Sequence, residues 1–127
     1  MKILGIDFGS RRVGFAIADT ETGMAFPKAV YSNDKFLLGE IKDMCKNYNV
    51  EKIVIGESKD FQGKDNIIMA EIRRFKKMLE IDLGVEVDYE LEYMTSAQAI
   101  RGQEETTMLD ASSATIILQS YLDRIKN

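Results

Sequence analysis

A single carboxylate stands at the end of an apolar run near the start of the chain, in the sequence Gly5-Ile6-Asp7-Phe8-Gly9-Ser10. Aspartate is uncommon in strands, and a carboxylate is costly to bury unless a partner or a metal ion compensates its charge. The glycine after Phe8 indicates a tight turn. We therefore predict that Asp7 lies at the end of a buried strand, where it is available for chemistry.

Two further carboxylates could join Asp7. Glu57 follows the apolar run Ile53-Val54-Ile55 and Gly56, which is typical of a central strand buried on both faces. Asp110 stands near the start of the last amphipathic segment, where it could face the strand ends. An acidic residue in the first turn of a helix also stabilises the helix dipole, so both roles are open for Asp110.

The composition excludes several kinds of active site. The chain has 127 residues, no histidine and one cysteine. Ser/His/Asp and Cys/His catalysis, a zinc site built on imidazole and an internal disulfide are therefore excluded. A lone cysteine fits a reducing cytosol, and no apolar run reaches the roughly 20 residues of a membrane span, so we expect a cytoplasmic protein without membrane contact. The net charge is −4, so nucleic-acid binding would need a local basic patch.

The pattern of apolar residues predicts the elements that would position these carboxylates. Short turns join expected strands at 2–8, 13–19 and 24–31, as in an antiparallel meander, and Pro27 marks the third strand as a sheet edge. The remaining expected elements, in chain order, are a helix over 37–48, a buried strand at 53–55, a polar loop over 58–64, a helix over 68–79, a strand over 85–92, a short helix from Thr95 and a helix over 110–125.

This order, βββαβαβα, predicts one α/β domain with a five-stranded mixed sheet. Three antiparallel strands would be followed by two parallel strands, with helices flanking the sheet. Sites in such sheets form at the carboxyl ends of strands, where Asp7 and Glu57 are expected. Gly5 would share a face with Asp7 and leave open space beneath it. Ala111 and Ala114 are small enough to let the last helix approach the sheet closely.

Three segments of the chain resemble the YqgF/RuvX family, which belongs to the ribonuclease H superfamily. Residues 3–18, ILGIDFGSRRVGFAIA, look like the family's opening. Residues 109–114 and 117–123, LDASSA and ILQSYLD, are similar to its closing helix. Residues 92–99, EYMTSAQA, resemble its Asp-Glu-Arg-Leu-Thr-Thr-x-Glu-Ala segment. The resemblance implies that residues 1–127 form a single domain with a ribonuclease H-like fold.

Carried over residue by residue, the resemblance implies an acidic site made of Asp7, Glu92 and Asp110. It implies a nuclease that hydrolyses phosphodiester bonds, either at the 5′ end of precursor 16S rRNA or in branched DNA such as Holliday junctions. Mg²⁺ and Mn²⁺ prefer oxygen ligands, and two such ions roughly 4 Å apart can activate water and stabilise the leaving oxygen. Without metal, clustered carboxylates repel and raise one another's pKa. We expect catalysis and metal binding from these residues together with Glu57.

The chain departs from the family pattern around this acidic site. Leu91 and Tyr93 stand where the family has Asp and Arg on either side of the Glu, and Glu57-Ser58 stands where Leu-Pro is usual. A glutamate at the end of the fourth strand resembles the related RuvC resolvases, where it is an active-site carboxylate. Glu57 is thus either a fourth ligand or a replacement for Glu92. An alternating acidic row is also typical of a solvated strand face, and this one contains Glu86, Asp88, Glu90 and Glu92.

Basic residues near the predicted site are candidates for phosphate contacts, namely Arg11, Arg12, Lys59, Lys64 and Arg101. The basic run from Arg73 to Lys77 is more typical of a solvated helix face. We expect the partner to be nucleic acid, as structured RNA such as precursor rRNA or as branched DNA. A monomer or a homodimer would bind it in a salt-sensitive way.

Two other functions are open on the sequence alone. The altered residues Leu91 and Tyr93 are compatible with a non-catalytic ribosome-assembly or nucleic-acid-binding factor. The opening sequence also resembles the first phosphate loop of actin, Hsp70 and sugar-kinase ATPases, in which a glycine turn cradles nucleotide phosphates. Those proteins hold the nucleotide between two such domains, whereas the length of this chain is that of a single domain.

Overall fold

The structure of the chain, a computed structural model, describes residues 1–59, 67–93 and 107–126. Its elements are β1 (Lys2–Phe8), β2 (Arg12–Asp19), β3 (Met24–Ser32), α1 (Leu37–Asn47), β4 (Val50–Lys59), α2 (Met69–Leu83), β5 (Glu86–Tyr93) and α3 (Thr107–Ile125). None of the helices in the described ranges is both long and apolar enough to span a membrane.

The five strands form one sheet in the order β3-β2-β1-β4-β5. Strands β1, β2 and β3 pair antiparallel, and β4 pairs parallel with both β1 and β5. The predicted mixed sheet is therefore confirmed. β3 lies at the edge, as Pro27 predicts, and the pairing register shifts beside that proline, between Phe15 and Ala16.

Helices cover both faces of the sheet, and each face has its own apolar core. Alternation along β1 assigns Leu4 and Ile6 to the core that includes Ile41 of α1 and Ile72 of α2. Ile3 belongs to the other core, which α3 covers. A side chain's position along a strand therefore decides which helix layer it meets.

Two element boundaries differ from the sequence predictions. β4 continues through Lys59, because its last residues pair with β5 as far as Tyr93, so the expected polar loop cannot begin at Ser58. α3 begins at Thr107, three residues before the predicted start, so Asp110 is the fourth residue of the helix. The short helix predicted from Thr95 lies outside the described residues.

Candidate active site at the carboxyl end of the first strand

Asp7 is the next-to-last residue of β1, and its side chain is half-buried. β1 pairs with β2 without interruption from Lys2 to Phe8, so strand alternation holds along its whole length. Ile3 contributes to the core under α3, whereas Leu4 and Ile6 contribute to the opposite core. Asp7 therefore lies on the α3 face of the sheet.

α3 crosses β1 at Gly5, where the strand has no side chain to separate the two elements. A Cβ atom at Gly5 would lie 2.7 Å from Cβ of Leu118 and 3.2 Å from the carbonyl oxygen of Ala114. The predicted open space beneath Asp7 is therefore wrong, because α3 fills it. The predicted close approach of the helix is confirmed by this contact, and both Ala111 and Ala114 are buried.

The direction of α3 follows from two contacts along β1. Leu118 lies over Gly5. Three residues further along the helix, the hydroxyl oxygen of Tyr121 accepts a hydrogen bond of 2.7 Å from Lys52, whose backbone pairs with Ile3. The helix therefore runs antiparallel to β1, and its earlier turns lie toward the carboxyl end of that strand.

The backbone of Asp110 belongs to these earlier turns. Asp110 stands one helical turn before Ala114 and two turns before Leu118. Leu118 already lies over Gly5, so the first turns of α3 extend past the level of Asp7. The helix thus brings position 110 to the same end of the sheet as Asp7. The side chain of Asp110 lies outside the part of the chain that the structure describes.

Glu57 lies on the opposite face of the sheet from Asp7. It continues the alternate set of Ile53 and Ile55, whose side chains belong to the core under α1 and α2. Burial raises the pKa of Tyr89, which packs against that same core, and the nearby Glu57 carboxylate adds to the rise. Glu57 also precedes the end of β4 by two residues. Strand parity therefore assigns Glu57 and Asp7 to opposite faces of the sheet.

Two carboxylates of the acidic row on β5, those of Asp88 and Glu90, are bound by side chains of α3. The Tyr121 hydroxyl donates to Asp88 at 2.9 Å, and the Ser120 hydroxyl donates to Glu90 at 2.8 Å. Arg124 donates from Nε to Glu90 at 2.9 Å, and Glu90 is buried. The interpretation of this row as a solvated face is therefore wrong for Asp88 and Glu90.

Position 92 belongs to the same set of alternate β5 positions as Asp88. Its backbone pairs with Ser58 of β4. Ser58 in turn has the strand parity of Val54, which contributes to the core under α3. The backbone register thus assigns Glu92 to the face of the sheet that carries Asp7, although its side chain lies outside the described part of the chain.

A lysine of β4 ties α3 to β5 at the far end of the sheet from Asp7. Nζ of Lys52 lies 2.9 Å from Oδ2 of Asp88 and 3.2 Å from Oε2 of Glu86. Its hydrogen bond to Tyr121, followed by those to the two carboxylates, raises the pKa of Lys52 against the opposing effect of burial. The same lysine holds the pKa of Asp88 below its usual value.

The turn after Asp7 has room only for glycine at its first position. A Cβ atom at Gly9 would clash with the carbonyl oxygen of Arg12. Asn33, which directly follows β3, donates from Nδ2 to the carbonyl oxygen of Gly9 and from its backbone N–H to that of Arg11, both at 2.8 Å. No local sequence signal predicts this role, because Asn33 comes from a distant loop.

The structure places two of the basic candidates in that turn, close to Asp7. Arg11 is exposed, and Arg12 is half-buried and begins β2. Of the other candidates, Lys64 and Arg101 lie outside the described residues, and Lys59 is described in its backbone alone.

The basic run on α2 lies over the other face of the sheet. Lys76 lies 3.0 Å from Glu80 in an ion pair and 5.5 Å from the centre of the Tyr89 ring. Arg74 and Lys77 are exposed. These positions agree with the solvated helix face that the sequence predicts.

Among the described residues, no three Asp, Glu or Cys side chains lie close enough together to hold a metal ion. Two of the four predicted ligands, Glu92 and Asp110, have side chains outside that description. The donor set on the α3 face would combine carboxylates from β1, β5 and α3, which are hard oxygen ligands of the kind that Mg²⁺ and Mn²⁺ prefer. Carboxylates at positions 7, 92 and 110 have the chemistry that such an ion requires.

The sequence model described as "RuvX: Holliday junction resolvase" matches residues 1–124. A similar protein from Syntrophus aciditrophicus is 33% identical over 98% of this chain and 90% of its own length. One from Clostridium beijerinckii is 33% identical over 98% of both chains. Both are named "Putative pre-16S rRNA nuclease".

Solved structures of resolvases share the fold. RuvC of Thermus thermophilus superposes with a TM-score of 0.62 at 13% identity, covering 99% of this chain and 97% of RuvC. A fowlpox virus resolvase in complex with Holliday junction DNA superposes with a TM-score of 0.57 at 13% identity and covers both chains fully. These likenesses confirm the ribonuclease H-like fold, and the match over residues 1–124 shows that the chain belongs to the RuvX family.

Proposed function

We propose that this protein is a metal-dependent nuclease that hydrolyses phosphodiester bonds at a site centred on Asp7. The observation that carries the proposal is the contact at Gly5, where α3 lies directly on the strand that carries Asp7 near its end. The direction of α3 supports a site in which the helix turn of Asp110 and the end of β1 contribute together. The names of the similar proteins, which are nucleases, support the same class of reaction.

We propose that Asp7, Glu92 and Asp110 hold Mg²⁺ or Mn²⁺ ions. β1 has a paired strand on either side, so Asp7 would offer its carboxylate from the most rigid part of the sheet. Glu92 belongs by register to the same face, which favours it over Glu57 as the glutamate of the site. Two such ions would supply activation of a water molecule and stabilisation of the leaving oxygen.

The glycine turn would orient the substrate. Arg11 is exposed on a turn that begins two residues after Asp7, and a guanidinium can hold phosphate through two parallel hydrogen bonds. Asn33 would keep the turn in one conformation, so that Arg11 and Arg12 reach the phosphates flanking the cleaved bond. Lys59, Lys64 and Arg101 are proposed as further phosphate contacts.

We propose the 5′ end of precursor 16S rRNA as the substrate, with branched DNA as the second candidate. Similar proteins over the full length of the chain carry the rRNA nuclease name, whereas the junction-bound structures are 12% and 13% identical and share the fold alone. A single cut in RNA needs one active site. Symmetrical cuts in a four-way junction would need a dimer.

The experiment compares two substrates under three metal conditions. The purified protein is incubated with an end-labelled precursor rRNA fragment that carries its 5′ leader, and with a four-way DNA junction, in Mg²⁺, Mn²⁺ or EDTA. We expect cleavage of the RNA with either metal and none in EDTA. Binding of the RNA without cleavage under every condition would contradict the proposal and favour a non-catalytic assembly factor.

A further inference from the structure

The loop between β3 and α1 is fastened to the glycine turn beside Asp7. Asn33 makes both connections, through its side chain to Gly9 and through its backbone to Arg11, each at 2.8 Å. The first residues after Asn33 therefore start from a fixed position beside the proposed catalytic turn. The three residues that follow are Asp34, Lys35 and Phe36.

Phe36 is an exposed aromatic residue on a rigid support. Its side chain is 65% exposed. Its backbone N–H donates to Oδ1 of Asp34 at 2.9 Å, and its carbonyl oxygen accepts from the N–H of Glu40, in the first turn of α1, at 3.2 Å. The ring thus projects from a fixed helix start rather than from a free loop.

A cation lies beside this ring. Nζ of Lys35 lies 5.3 Å from the centre of the Phe36 ring. Arg11 is exposed on the turn to which Asn33 is bonded. In a chain with a net charge of −4, Phe36 therefore has a cation beside its ring and a second cation on the neighbouring turn, whereas the carboxylate of Asp34 is bound to the N–H of Phe36.

The distance along the backbone limits how far the ring lies from the turn. Phe36 is three positions after Asn33, so their Cα atoms are at most about 11 Å apart. Stacked bases follow one another about every 3.4 Å along a strand, so the span from Asn33 to Phe36 is about as long as three stacked nucleotides.

We propose that Phe36 and Lys35 bind an unpaired nucleotide that lies within a few positions of the cleaved phosphate. The base would stack on the Phe36 ring, and Lys35 and Arg11 would contact the backbone phosphates. Aromatic rings stack with any base, and such contacts are typical of single-stranded nucleic acid sites. This inference rests on the proposed nuclease function, and it adds that the substrate is single-stranded beside the cut.

The chain has no tryptophan, so a single introduced indole reports on this position alone. We would make Phe36→Trp and, as the matched control, Phe26→Trp, both in an Asp7→Asn background with Mg²⁺ present. Phe26 is a suitable control because its side chain is also exposed, to 55%, and it lies on β3, the strand that leads to Asn33. Its partner in β2 is Ile17, which lies about 17 Å along the strand from Arg12 at the glycine turn. Each variant is titrated with a labelled RNA hairpin carrying a single-stranded 5′ tail, and with the same hairpin without the tail.

We expect the tailed hairpin to quench the emission of Phe36→Trp, and the blunt hairpin to leave it unchanged. The emission of Phe26→Trp should not respond to either RNA. If anisotropy of the labelled RNA shows binding while the emission of Phe36→Trp stays constant, or if both indoles respond equally, the proposed contact is wrong.

Kinetics on the tailed RNA provide a second readout in the otherwise unchanged protein. Phe36→Ala should raise KM about tenfold with little change in kcat, and Phe36→Tyr should restore it, because stacking on a base is worth a factor of this order. An unchanged KM for Phe36→Ala in an active enzyme would overturn the stacking contact and leave the nuclease function intact. If the tailed RNA quenches the emission of Phe36→Trp but the protein with native Asp7 cleaves neither RNA nor DNA, the nuclease function alone would be overturned.

Discussion

Gly5 and Leu118 are so close that a methyl group on the glycine would lie 2.7 Å from Cβ of the leucine. The last helix of the chain therefore rests directly on the central strand. This contact sets the height of the helix above the sheet, and with it the position of the turn that carries Asp110. The geometry of the proposed site depends on a residue that has no functional group.

Replacing Gly5 with alanine should damage stability and activity together. The added methyl group would push α3 away from β1, and overpacking of this kind typically costs about 1–3 kcal/mol in the free energy of unfolding. Cleavage should fall even at temperatures where the variant is fully folded, because Asp110 moves with the helix. Urea unfolding and cleavage of the RNA fragment measure the two effects.

The control for this change is another glycine-to-alanine substitution in the same chain. Gly39 is exposed in α1, and an added Cβ would meet nothing within 4 Å. Gly39→Ala should raise stability by roughly 0.5–1 kcal/mol and leave cleavage unchanged, because alanine is the better helix former. Equal stability of Gly5→Ala and the wild-type protein would show that the helix is not seated on the strand as described.

The two candidate glutamates should behave differently when neutralised. Glu92→Gln should lower kcat by at least about 100-fold, beyond the 10- to 100-fold typical of residues that only support metal ligands. Glu57→Gln should leave kcat almost unchanged, because Glu57 continues the set of β4 residues that face α1 and α2. Steady-state cleavage at saturating Mn²⁺ compares the two variants, and the opposite ranking would mean that Glu57 supplies the site.

Asn33→Ala should weaken the turn beside Asp7. The loss of the Nδ2 hydrogen bond to Gly9 should cost about 0.5–1.5 kcal/mol in unfolding free energy. Cleavage should fall even at temperatures where the variant is fully folded, since the turn that carries Arg11 and Arg12 is no longer held by Asn33. Asn47→Ala, at an exposed position near the end of α1, serves as the control and should leave cleavage unchanged. If Asn33→Ala and Asn47→Ala cleave equally well, Asn33 has no role in positioning the turn.

The ion pair between Lys52 and Asp88 should make stability depend on pH in the acid range. The hydrogen bond from Lys52 lowers the pKa of Asp88 in the folded protein, so its stabilising effect is present above the unfolded pKa of about 3.9 and is lost as the pH falls through the folded value. Because Asp88 is 39% exposed, solvent screening should limit the effect to about 0.5–1 kcal/mol.

Unfolding of Asp88→Asn and the wild-type protein between pH 7 and pH 2 tests this dependence. The variant should be less stable at neutral pH, and the difference should narrow as the pH falls below 4. Glu86→Gln, which removes the more exposed partner of Lys52, should have a smaller effect. A difference that stays constant down to pH 2 would contradict the assignment.

Local patterns in the sequence predict much of the fold, because they report local preferences. Pro27 predicts an edge strand, since proline cannot donate a hydrogen bond within the sheet, and β3 lies at the edge. The small residues Ala111 and Ala114 predict that the last helix lies close to the sheet; both are buried, and the helix contacts β1 at Gly5. Asp7 and its glycine turn are likewise found at the end of β1.

Relationships between distant parts of the chain could not be predicted in the same way. The choice between Glu57 and Glu92 depends on strand parity, which is fixed only by the parallel register of β4 and β5. The acidic row of β5 has the pattern of a solvated face, but α3 supplies Ser120, Tyr121 and Arg124 to bind two of its members, Asp88 and Glu90. The role of Asn33 likewise comes from a contact across a long loop.

Cleavage of the precursor rRNA fragment by the wild-type protein and by Asp7→Asn, in Mg²⁺ and in Mn²⁺, tests the central claim most directly. We expect the wild-type protein to cut the RNA and Asp7→Asn to leave it intact. The melting temperature of the variant should be equal to or higher than that of the wild-type protein, because neutralising Asp7 relieves repulsion within a carboxylate cluster. Equal cleavage by the two proteins would contradict a catalytic site centred on Asp7.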